Sequence, residues 1–178
     1  MLSADGIHLR HIRASDLDTL WPLLNRLSTR GPYLPMQMQP YRKFIERYEK
    51  DGFSSADFER LVLLDDDQTI IGTLMHFKGV PYMSAREIGY NLFDPERRSK
   101  GTMSAAVRLL VDYLFKSFEV NRLEIRMHVD HIASERVAQK CGFTREALCR
   151  GASFVNGQYQ DMYLYALLRQ EWQAAQRT

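Results

Sequence analysis

Leu123, Ile125, Met127 and Val129 alternate with Arg122, Glu124, Arg126 and His128, the period of a strand with one buried face. Upstream, Met103, Val107, Leu110, Val111, Leu114 and Phe118 recur at three- and four-residue spacing, which predicts a long helix over about 101–116. Ile88, Tyr90 and Leu92 alternate along a further strand, and Asp94-Pro95 ends it. A helical crossover between two strands makes them parallel.

The remaining pattern fills in both ends. Ile7 to Arg13 reads as a first strand, and Ser15 is placed to cap a helix whose apolar face is Leu17, Leu20, Trp21, Leu24 and Leu27. Gly31, Pro32, Pro35 and Pro40 break the pattern over 28–40, a loop that carries Tyr33, Met36 and Met38. A second helix follows over about 41–50. Leu61–Leu64 and Ile70–Phe77 read as a hairpin joined by the acidic turn Asp65-Asp66-Asp67-Gln68. A short helix spans about 133–141, and a last hairpin turns at Asn156-Gly157. The order β α α β β β α β α β β fits an α/β fold in which a mixed sheet carries helices on both faces. No repeat or linker divides the chain, so 1–178 reads as a single domain.

Composition changes this picture little. With 24 basic and 22 acidic residues the net charge is +2, which gives no argument for nucleic acid or a membrane surface. Two cysteines, Cys141 and Cys149, form no disulfide framework, and no spacing suggests a metal site. The N-terminus shows no charged segment followed by an apolar run, and no stretch is long enough to span a bilayer. A cytoplasmic protein is the expectation.

The chemistry concentrates in residues 86–116, where a strand runs into a short basic turn that opens a helix. The first N–H groups of a helix have no internal partner and point outward at the positive end of the dipole, which suits a pyrophosphate. Gly101 lets the backbone approach phosphates, and Arg97, Arg98 and Lys100 add positive charge. One glycine in the turn makes neither a Rossmann nor a Walker pattern.

The segment Arg98-Ser99-Lys100-Gly101-Thr102-Met103 resembles the acyl-CoA motif of the GNAT superfamily of N-acetyltransferases, Arg/Gln-x-x-Gly-x-Gly/Ala. Met103 departs from its last position, as is common in the RimJ/RimL-type branch, and Ala105 stands where that branch often has glutamate. Downstream, Asp130-His131-Ile132-Ala133-Ser134 through Val137-Ala138 to Gly142-Phe143 looks like the family segment Asn-x-x-Ser-x-x-Val-Ala-x-x-x-Gly-Phe. The stretch Phe154–Asp161 matches its final hairpin.

The resemblance implies a GNAT-like fold, a largely antiparallel mixed sheet splayed where acetyl-CoA lies. Leu92, Phe93 and Asp94 would then pair with the pantetheine arm, and Arg98, Ser99, Lys100, Gly101, Thr102 and Met103 would hold the pyrophosphate. His131 stands where the family has an Asn that commonly bonds the pantetheine, and a solvent-facing loop histidine is the plainer reading. Arg136 and Lys140, one turn apart, either reach the CoA phosphates or form a solvated face.

The implied reaction is direct transfer of an acetyl group to a primary amine, which must lose a proton to react. Glu87, eleven residues before Arg98, matches a catalytic glutamate of some members; it either collects the proton or only orients the amine. The tyrosine that often protonates the leaving thiolate is absent, with Ala138 in its place. Ser134 matches the serine of RimL-like members, as acid or as CoA contact. Tyr33, Met36, Glu87 and Asn91, with the hairpin at Asn156, are expected to face the acceptor. That acceptor is a protein N-terminus or peptide amine, or else a small amine, in a monomer or homodimer. A CoA-binding module without transferase activity is the alternative.

Overall fold

A computed structural model describes residues 1–34 and 37–177. The chain opens with a hairpin, β1 (Leu2–Ala4) and β2 (Ile7–His11), where the apolar pattern predicted one strand. The turn residues Asp5 and Gly6 both take left-handed backbone (φ 50° and 74°), the geometry an Asp-Gly hairpin turn requires. Ser15 caps no helix. Asp16 organises this corner instead, accepting from the Arg13 N–H at 2.7 Å and from the Arg10 guanidinium at 2.6 and 2.9 Å.

Helix α1 (Leu17–Asn25) ends before the apolar stripe does, so Leu27 falls in the single-turn α2 (Leu27–Arg30) and is 48% exposed. Helix α3 (Tyr41–Asp51) closes at Gly52, whose φ of 60° suits a helix end. There follow β3 (Ser54–Ser55), β4 (Phe58–Asp65), β5 (Ile70–Phe77), β6 (Ala85–Leu92), α4 (Thr102–Ser117), β7 (Arg122–His128), α5 (Ile132–Lys140), β8 (Thr144–Val155), β9 (Gln158–Leu168) and α6 (Arg169–Ala175). Asn156 and Gly157 (φ 53° and 77°) make the β8–β9 turn.

Eight strands run in the order β1-β2-β4-β5-β6-β7-β9-β8, with β3 beside β4. Among the described residues every pairing is antiparallel except β6 with β7, the parallel pair joined by α4. One face packs Leu61, Leu74, Ile88, Leu123 and Ile125 against Leu110 and Leu114 of α4. The other packs Val62, Leu64 and Phe93 against Leu20 of α1 and Phe44 of α3. The two-sided burial centres on β4, whose Leu61 faces one layer and whose Val62 and Leu64 face the other.

The end of α4 is tied down by Arg169, which donates to the carbonyls of Phe115, Phe118 and Val120 at 2.7–2.8 Å. Those carbonyls close a helix end that has no internal donors left. No helix among the described residues is long and apolar enough to cross a membrane.

Candidate active site

Strands β6 and β7 share only three rungs: Ala85 with Arg122, Arg86 with Leu123, and Glu87 with Glu124. Beyond Glu87 their facing edges part. Each strand stays held on its outer side, Asn91 against Thr73 of β5 and Ile125 against Tyr165 of β9. The result is a wedge-shaped gap with free backbone groups on its walls. The Phe93 N–H goes to the Ile71 carbonyl at 2.9 Å, on the β5 side. Alternation along a strand then turns the backbone of Tyr90 and Leu92 into the gap.

Of the three residues expected along this edge, then, Leu92 faces the gap with its backbone. Phe93 is bonded to β5, with its side chain buried beneath α1 and α3. Asp94 accepts from the Glu96 N–H at 2.9 Å and pairs with Arg97, starting the turn that follows.

That turn leads into α4 at the open end of the gap. Ser99 and Gly101 both take left-handed backbone (φ 61° and 86°). No side chain caps α4, and its first internal bond is from Ala105 to the Gly101 carbonyl. The N–H groups of Thr102, Met103 and Ser104 are left pointing outward. A Cβ on Gly101 would meet nothing within 4 Å, so the space in front of it is open. Arg98, Ser99 and Lys100 are exposed beside it. Arg97 is not available there, because it pairs with Asp65 at 2.8 Å and Asp94 at 3.3 Å. Met103 turns its side chain into the core.

On the α5 side, Ser134 is 5% exposed, and its Oγ lies 2.8 Å from the Tyr90 Oη. Tyr90 also donates to the Ser134 carbonyl at 3.3 Å. Burial pushes the Tyr90 phenol far above its ordinary value, so it stays protonated. Cys141 packs against the core, with its thiol pushed up to about 11 by burial. Arg136 and Lys140 are exposed on the outer side of α5.

The His131 ring lies 4.1 Å from that of Tyr33, whose hydroxyl donates to the Asp130 carbonyl. Burial first, then the neighbouring His128 and Arg98, bring His131 down to about 4, so it is neutral at pH 7. Tyr33 thus closes over the end of β7, where His128 is 5% exposed with an Nε2 that has no partner among the described residues. Met36 lies outside the described residues.

The opposite sheet face carries a chain of charges. Glu87 is bonded by Arg126, which also holds Glu124 at 2.9 Å; Arg122 bridges Glu124 at 2.8 Å and Glu146 at 2.6 Å. Burial raises the Glu87 carboxyl, Arg126 opposes that, and Glu124 adds to it. Asn91 shares this face, half-buried, four residues beyond Glu87. The predicted residues therefore fall into two groups: Leu92, Ser134 and the loop at the gap, and Glu87 at its apex on the far face. Tyr90 and Arg126 were not singled out from sequence. The alternation that puts Tyr90 beside Ile88 on the helix-facing side was the signal for the first.

A GNAT acetyltransferase domain model matches residues 7–144. The probable N-acetyltransferase YjcK of Bacillus subtilis (strain 168) is 32% identical over 133 residues, 74% of this chain and 71% of that protein. The ribosomal-protein-serine acetyltransferase of Escherichia coli (strain K12) is 30% identical over 109 residues, 61% of this chain and 60% of that one. Spermidine N-acetyltransferase from Vibrio cholerae, solved with CoA and spermine, superposes with a TM-score of 0.82 at 20% identity, covering 94% of this chain and 98% of that one. A gap between parallel strands, an uncapped helix opening beside it and a match over most of the length agree: the chain belongs to the GNAT acetyltransferase family, and is an N-acetyltransferase whose acetyl donor is acetyl-CoA.

Proposed function

We propose that acetyl-CoA lies along the gap between β6 and β7 and passes its acetyl group directly to a peptide or protein N-terminal amine. The parting of the two strands after Glu87 carries this reading. A pantetheine arm is an extended chain with amide groups, and the inward backbone of Tyr90 and Leu92 offers it the rungs that β7 does not supply. The pyrophosphate falls at the N–H groups of Thr102, Met103 and Ser104, where Gly101 leaves room and Arg98, Ser99 and Lys100 stand alongside. His131, neutral, borders the arm with Tyr33. Arg136 and Lys140 are the outer cations available to further phosphates.

The amine nitrogen attacks the thioester carbonyl, the C–S bond breaks, the amine loses a proton and the thiolate gains one. The inward N–H of Leu92 is the donor for the oxyanion. Ser134 gives its proton to sulfur and recovers one from solvent, while Tyr90, which stays a neutral phenol, holds the serine hydroxyl in place. Glu87, with its carboxyl raised by burial, takes the amine proton directly or through a water, while Arg126 holds its orientation. Asn91 and Tyr33 border the acceptor.

A peptide amine is favoured over a polyamine because the ribosomal-protein-serine acetyltransferase is 30% identical, whereas the spermidine N(1)-acetyltransferases of Vibrio cholerae and Escherichia coli are 22–23% identical. Amide hydrogen exchange with and without CoA tests the placement. Slowing at Tyr90, Leu92 and 102–104 is expected; slowing confined to other segments contradicts it.

A further inference from the structure

We propose that the acceptor amine carries a carboxylate, which Arg60 and Arg47 receive. This rests on the transfer reading above and adds the chemistry of the acceptor to it.

Arg60 lies on β4 opposite Met75, and Met75 lies opposite Gly89 of β6. All three are on the sheet face that carries Glu87 and Asn91. Met75 lies flat over β6: its Cε is 2.7 Å from where a Cβ on Gly89 would stand. The Arg60 guanidinium donates to the Met75 sulfur at 3.5 Å, so it is carried toward the same stretch of β6. That is a weak acceptor, and the Arg60 side chain has no other hydrogen bond or ion pair among the described residues.

What surrounds Arg60 is cationic and aromatic. Arg47 of α3 lies 4.3 Å from the centre of the Phe58 ring, and Arg60 lies 5.8 Å from the same centre. Burial, then Arg47, brings Arg60 down to about 10, the response of a partly buried cation beside a like charge. Its place beside the Phe58 ring offsets part of that cost and leaves the N–H groups other than the one on Met75 free. The carboxylates on this part of the face, Glu87, Glu124 and Glu146, are already held by Arg126 and Arg122. Arg60 and Arg47 are therefore the cations here with no carboxylate partner among the described residues.

Arg60 is half-buried, and a half-buried guanidinium without a counter-ion gains from an anion that joins it. A carboxylate fits the planar fork of an arginine, and a second arginine can hold its other lone pairs. A polyamine tail would instead place ammonium groups against two guanidinium groups. The carboxylate can be an acidic side chain following a peptide N-terminus or the α-carboxylate of a free amino acid.

The test compares kcat/KM, by thiol release from acetyl-CoA, for a Ser-Asp-led peptide and its Ser-Asn counterpart, for free serine and serinamide, and for spermidine. One acid-bearing member is expected to exceed its neutral partner by about tenfold or more. The peptide pair or the amino-acid pair that shows the preference identifies the source. R60Q and, on the exposed helix α3, R47Q are each expected to bring that ratio down severalfold. Equal rates within both pairs in the wild type, a ratio that survives both substitutions, or spermidine as the best acceptor would overturn the proposal. Calorimetric titration of the two N-acetylated peptides and of N-acetylserine and its amide into the CoA-bound protein reads the same preference without turnover. Acid-selective binding with no transfer to any amine would keep the anion site and overturn the transfer reading; no selectivity in binding would overturn the site.

Discussion

The hydroxyl of Ser134 lies 2.8 Å from that of Tyr90, a bond that ties helix α5 to strand β6 on the helix-facing side of the gap. A serine hydroxyl alone is a poor acid. One fixed by a buried phenol that stays protonated is held in a single orientation, so that its own proton can be aimed at the leaving sulfur. Ser134→Ala is expected to lower kcat by about 100-fold with a smaller change in KM for acetyl-CoA, and Tyr90→Phe by about tenfold. Steady-state kinetics decide it. A raised KM at unchanged kcat in Ser134→Ala would make the serine a CoA contact only.

Gly101 combines a φ of 86° with open space in front of it. Gly101→Val costs the protein about 1–2 kcal/mol, the strain of a left-handed backbone, because no neighbour is displaced. CoA should lose more than tenfold in affinity, since the added side chain stands where the pyrophosphate approaches. Urea unfolding and calorimetric titration measure the two effects separately. Unchanged CoA affinity would move the phosphates elsewhere.

Glu87 must be deprotonated to take a proton. Its carboxyl is raised by burial, lowered by Arg126 and raised again by Glu124, with the upward effect winning. The rate should therefore rise with pH through a step displaced upward from that of an ordinary glutamate. Glu87→Gln should remove that step and lower the plateau by about 100-fold, with CoA affinity kept. A pH–rate profile like that of the wild type would take Glu87 out of the reaction.

Much of this architecture was legible from period alone. The parallel pair around α4 followed from a three-and-four-residue stripe between two alternating runs, and Asn156-Gly157 announced its hairpin. Leu27 misled because a continuing apolar stripe does not show where a helix stops. The Asp5-Gly6 turn went unread because a three-residue strand leaves almost no period. At the site, the loop was readable because anion binding there uses backbone and glycine, both tied to local sequence. Tyr90, Arg126 and Arg60 were not, since their roles come from partners 44, 39 and 15 residues away.

His131 carries a stability prediction. Its folded value near 4 lies below the roughly 6.5 of an unfolded histidine. The unfolded state thus binds more protons between these values. The contribution is fully present above about 6.5 and is lost as pH falls toward 4. The urea midpoint should drop between pH 7.5 and pH 5, and His131→Asn should flatten that drop. An equal drop in both proteins would assign it to other groups.

The most direct measurement incubates the protein with acetyl-CoA and a peptide bearing a free N-terminus, following thiol release and peptide mass together. One acetyl group on the N-terminal amine is expected for each thiol released, with no release above background from the same peptide blocked at its N-terminus. Thiol release that does not depend on the free amine, or CoA bound in the gap with no acetylated amine formed from peptides or small amines alike, would contradict it.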